Sequence, residues 1–209
     1  MLPPVGATLP LVLRALILGS AILGAVTATL QPARELSRWS VHAVVPVWVD
    51  VTGAPRGADA LVGRALATWT RAADGRLTLQ RTASRDAALI RVRFAQADGI
   101  YGETAPRIDR ASGLITSADV LIAGDVAGDA MGQHIIIYLT ALHELGHALG
   151  LPHTDAFDDI MYSFRRPDDG ERYFGAYRRR LRSDDDIGAE LASGLSAADV
   201  SALQSLYRR

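Results

Sequence analysis

Cysteine is missing from all 209 residues, which excludes a disulfide framework, a thiolate metal site and a cysteine nucleophile. Any metal must then be held by histidine, aspartate or glutamate. Lysine is missing too: all 22 basic residues are arginine, against 23 acidic ones, for a formal net charge of -1. That balance supplies no global field toward nucleic acid or an anionic surface, and no nucleic-acid partner is expected. No internal repeat breaks the chain into units. With 49% hydrophobic residues, the length suits one well-buried domain and is too short for two large ones.

Residues Leu9 to Leu30 are almost uniformly apolar, interrupted by Arg14 and closed by Gln31-Pro32-Ala33-Arg34-Glu35. The run after Arg14 is short for a membrane span, and Val26-Thr27-Ala28 supplies the small-residue pattern of a cleavage site. Residues 1–33 therefore read as a signal peptide or an uncleaved membrane anchor, leaving 34–209 as the single folded domain. Either reading places the remainder outside the cytoplasm, secreted or periplasmic, with membrane contact only through that segment. A monomer is expected.

From Val41 to Val51 every odd position is apolar, the period of two of a half-buried strand, and Pro46 suggests an edge or an irregularity in it. Asp59 to Ala73 spaces Leu61, Ala65, Leu66 and Trp69 as a helix ended by Asp74-Gly75. Leu77 to Arg81, Ala88 to Phe94 and Leu114 to Ala123 read as further strands. Ile135 to Leu149 is mostly apolar and carries the chemistry described next. Ser196 to Tyr207 opens with the capping box Ser196-Ala-Ala-Asp199 and reads as a last helix burying Val200, Leu203 and Tyr207. Between them Arg165 to Ser193, with Arg178-Arg179-Arg180 and Asp184-Asp185-Asp186, reads as a solvated loop.

His143-Glu144-Leu145-Gly146-His147 puts two imidazoles four residues apart, so on a helix both project from one face and can chelate one ion. Glu144 flanks that ion, placed to take a proton from a water and return it to a leaving amine. Gly150 can end the helix in the left-handed conformation, and Leu151-Pro152 turns the chain so that His153 approaches from a third direction. Requiring Gly150 and His153 as well lowers chance matches by roughly several hundredfold. Three neutral nitrogens leave one tetrahedral position open, the mark of a catalytic rather than a closed structural zinc site. The pattern predicts amide hydrolysis without a covalent intermediate.

His143-Glu-Leu-Gly-His147-Ala-Leu-Gly150-Leu-Pro-His153, followed by Met161, resembles the metzincin metalloproteases. Within them the chain is most similar to the matrixins over roughly residues 40 to 209. The resemblance implies an α+β, zincin-like catalytic domain: a twisted mixed β-sheet, an active-site helix, a Met-turn and a C-terminal helix. It implies one catalytic zinc on His143, His147 and His153, with Glu144 as general base in a metalloendopeptidase acting on proteins or peptides. It also implies Met161 as a floor beneath the metal, and the strand near Ile115 to Ile122 as the edge that aligns an extended peptide.

The chain departs from the family in several ways. With no cysteine, latency cannot use the matrixins' cysteine ligand. After the three site histidines only His42 and His134 remain, so the family's second, structural zinc is not expected. Ser163-Phe164 stands where matrixins usually carry proline after the Met-Tyr pair. Calcium is common in the family, and the Asp119, Asp125 and Asp129 region is the candidate for it. Two other readings stay open: a cell-wall peptide amidase, and a catalytically silent zinc-binding module of the same fold, against which the intact Glu144 speaks.

Overall fold

The alternation read from Val41 onward folds as strand β1, Ala43–Asp50, with Val45, Val47 and Val49 buried. A computed structural model describes residues 36–96 and 99–208; the apolar N-terminal run lies outside them. No helix among the described residues is long and apolar enough to cross a membrane. Helix α1 spans Ala58–Ala73 and stops where Asp74 and Gly75 both take positive φ. Strand β2 is Leu77–Arg81, β3 Ile90–Ala95, β4 Gly102–Ile108 and β5 Ile115–Ala123. Helices α2, Ala130–Ala148, α3, Asp169–Arg178, and α4, Ala197–Leu206, complete the chain. Residues Glu35–Arg209 form one compact unit.

The sheet order is β2-β1-β3-β5-β4, with β4 alone antiparallel to its neighbour. Parallel neighbours need crossovers, and α1 supplies the one from β1 to β2. In-register pairs place Val49, Val92 and Val120 in one buried row across the sheet. Against that face lie α1 and α2, and Trp69, Leu142 and Leu145 fill the interior between helices and strands. Helix α2 is apolar nearly all round, as its central position requires.

Three expectations are corrected. First, β1 lies between β2 and β3, so Pro46 is neither at an edge nor in a bulge. Its carbonyl accepts from Leu89 N, and the β1 and β3 pairing begins only at Val47. The missing N–H therefore falls just before that ladder. Second, the strand at Ile115–Ala123 is internal, and β4 is the edge beside it. Pro106 is tolerated there because one side of an edge strand needs no donor. Third, the segment read as a solvated loop contains α3, which packs Tyr173, Phe174 and Tyr177 inward from between its charges. The calcium expectation at Asp119, Asp125 and Asp129 finds no support in the side chains: the three histidines form the only metal-capable cluster of His, Asp or Glu among the described residues. Asp129 is committed elsewhere, accepting from Gly132 N as the α2 N-cap and from both terminal nitrogens of Arg178.

The Arg178 guanidinium and the Gly132 amide hold the Asp129 carboxyl down at about 2. A depressed acid stabilises the fold above its ordinary pKa, and that contribution fades as pH falls through the folded value. Asp129→Ala is expected to lower Tm by a few degrees at pH 7. The difference from wild type should vanish between about pH 4 and pH 2, measured by thermal unfolding across that range. A gap that persists unchanged at pH 2 would contradict the assignment.

Trp69 is fully buried and donates from Nε1 to the Leu142 carbonyl at 2.8 Å. It thus fixes α1 against the middle of α2. Trp69→Ala is expected to cost about 3–5 kcal/mol through cavity and lost hydrogen bond together, read from denaturant unfolding. A loss below about 1 kcal/mol would show that this contact does not hold the two helices.

Candidate metal centre

Glycines and hydrogen bonds around α2 fix the geometry of the site. Met161, 2% exposed, packs with its sulfur against Gly146, where any Cβ would also sit 3.2 Å from the Trp69 ring. Even alanine in place of Gly146 would force the Met161 side chain or the helix to shift. At the C-terminal end Gly150 takes φ 95°, and a Cβ there would strike the Ser37 carbonyl. The orphaned carbonyls of that end are met by donors from far along the chain: Trp39 Nε1 reaches Ala148 O at 2.8 Å and Tyr207 Oη reaches Leu149 O at 2.9 Å. Beyond the turn, Thr154 N donates to Met161 O at 2.9 Å, tying the segment that carries His153 to the one that carries Met161.

The structure brings His143, His147 and His153 together. His153 Nε2 lies 3.2 Å from His143 Nε2 and 3.0 Å from His147 Nε2. Edges of about 3.4 Å are what zinc-to-nitrogen distances of about 2.0–2.1 Å produce in a tetrahedron. His143 Nδ1 faces Ile160 O at 2.6 Å and His147 Nδ1 faces Leu151 O at 2.9 Å. Carbonyls only accept, so each Nδ1 carries the proton and each Nε2 turns a lone pair inward. Burial lowers all three histidine pKa values, that of His143 to about 4 with help from its two neighbours. The imidazoles therefore stay neutral, as metal ligation requires. Donor type, spacing and tautomer all fit zinc.

Glu144 is 5% exposed. Burial pushes its carboxyl up to about 7, against a Thr104 hydrogen bond that pulls it down; a cation at the three nitrogens would favour the charged form further. A cavity of about 650 Å³ opens beside it, bounded by β4, α2, the segment after Met161 and α3. Tyr101, Phe164 and Phe174 meet edge to face across its far wall, with ring centroids 5.0 to 6.0 Å apart. Sequence reasoning missed this wall, along with Thr104 and Asp199. Asp199 Oδ2 accepts from Ile160 N at 2.9 Å, so α4 supports the residue whose carbonyl holds His143. The capping box pointed to Asp199 only as a helix start; nothing in the sequence pointed to Thr104. The two spare histidines are engaged away from this centre, His42 with Gly75 O and His134 with Asp184.

A mixed sheet over a helix with two imidazoles on one face, a third beyond a glycine turn and a buried carboxylate between them defines a metallopeptidase architecture. A family model described as matrixin, of the M10 peptidases, matches residues 51–192, and the chain belongs to that family. Matrixins bind zinc and act on proteins or peptides. No curated protein matches the chain.

Proposed function

We propose that the chain is an exported zinc-dependent metalloendopeptidase, with residues 1–33 serving as its export signal or anchor and 34–209 as the catalytic domain. The observation that carries this reading is the convergence of three Nε2 atoms beside a buried glutamate, next to β4, the edge strand among the described residues. His143, His147 and His153 hold zinc, which when bound supplies Lewis acidity toward a water and the scissile carbonyl. Glu144 takes the proton of the attacking water and hands it to the departing amine. Met161 supports the helix from below, and Gly150 allows the turn that delivers His153.

The free edge of β4 offers main-chain groups to an extended peptide, which would add as a further strand. One substrate side chain then enters the aromatic-walled cavity. The test is turnover of a peptide library by the purified protein, with and without a zinc chelator, alongside its metal content. Chelator-sensitive internal cleavage supports the proposal. Zinc bound without turnover of any peptide would favour a silent binding module, and absence of zinc would sink the proposal.

A further inference from the structure

Val49, Val92 and Val120 stand in register across the sheet, and the next position in that row is Thr104 on β4. Paired residues share a face, so Thr104 looks onto α2 as the valines do. Its hydroxyl lies 2.7 Å from Glu144 Oε2 and 2.9 Å from the Glu144 carbonyl oxygen. A hydroxyl has one proton for these two acceptors, and a carboxylate makes the stronger, charge-assisted partner. Two residues earlier on the same face, Gly102 leaves room for the glutamate: a Cβ there would sit 2.7 Å from Glu144 Cγ. Glu144 is thus clasped by β4 at Gly102 and Thr104, while Oε1 carries no hydrogen bond from the described residues.

We propose that Thr104 is a positioning residue that fixes one oxygen of Glu144 and leaves the other to handle the proton. The assignment rests on the reading of Glu144 as the base. It has a mechanical corollary. The strand whose outer edge receives the peptide carries, on its helix-facing side, the group that aims the base. Engagement of a long substrate therefore stiffens the mount of Glu144, and short substrates should lose turnover more than binding.

The experiment compares wild type with Thr104→Val, which keeps the shape and removes the hydroxyl, and Thr104→Ser, which keeps the hydroxyl. Expected are an unchanged zinc content and KM in Thr104→Val, a kcat lower by about tenfold, and recovery to within about threefold in Thr104→Ser. Unchanged kcat in Thr104→Val overturns the proposal. So does a raised KM with full kcat, which would make Thr104 a peptide-aligning residue, or a Thr104→Ser variant as slow as Thr104→Val, which would make it a packing residue. A readout independent of turnover is the Glu144 side chain in crystals of zinc-free wild type and Thr104→Val. A carboxylate that shifts off β4 in the variant supports the proposal, and one that stays overturns it. Absence of turnover in wild type would instead sink the peptidase reading, leaving the crystallographic comparison to decide Thr104.

Discussion

Glu144→Ala should bind as much zinc as wild type and hydrolyse peptides about 10³-fold more slowly or worse. The side chain lies between the two helical histidines in sequence but is not one of the converging nitrogens, so its loss leaves the ligand set whole. On the proposed mechanism, what disappears is the proton acceptor for the attacking water and the donor for the leaving amine. The three histidines would still hold zinc, whose acidity toward a water would leave a residual rate above background. Metal analysis and kcat on one peptide decide it: a variant within tenfold of wild type means that another group moves the proton.

His153→Ala should act on metal rather than on the proton. His143 and His147 remain as a pair one helical turn apart, but a two-nitrogen site loses the third arm of the chelate. Removing a residue that only hydrogen-bonds a metal ligand typically costs about 10–100-fold in metal affinity, and a direct ligand should cost more. His153 is exposed, so the zinc-free variant should unfold at the same denaturant concentration as zinc-free wild type. Competition with a chromophoric chelator measures the affinity. Retention of wild-type affinity would remove His153 from the ligand set, whereas a large loss of apoprotein stability would make it a structural residue instead.

The fold was legible where one periodicity dominated. Strand β1, helix α1, strand β2 and the capped α4 follow from alternation, from helical spacing and from Ser196 and Asp199. The clustering of His143, His147 and His153 was legible because the first two are spaced one helical turn apart and a glycine turn follows to bring in the third. Strand β4 was hidden for a physical reason. As an edge strand it buries little, so Gly102-Glu-Thr-Ala-Pro-Arg107 shows no apolar alternation. Its pairing with β5 is a long-range fact that local pattern cannot carry. Helix α3 was hidden by composition: Tyr173, Phe174 and Tyr177 do sit at helical spacing, but charges surround them. Missing both elements meant missing the two walls of the cavity, and with them Thr104 and the aromatic rings opposite.

The links from the C-terminal helix to the site set an order of events during synthesis. His143 is oriented by the Ile160 carbonyl, Ile160 by Asp199, and the end of α2 by Tyr207, which also accepts from Trp39 N. All three histidines leave the ribosome well before Asp199 and Tyr207 do. A nascent chain stalled at Gly194 would carry all three histidines yet lack the Asp199 and Tyr207 contacts that orient them and the end of α2. If the chain is the peptidase proposed, the emerging polypeptide would be spared a working active site until its C-terminal helix has docked.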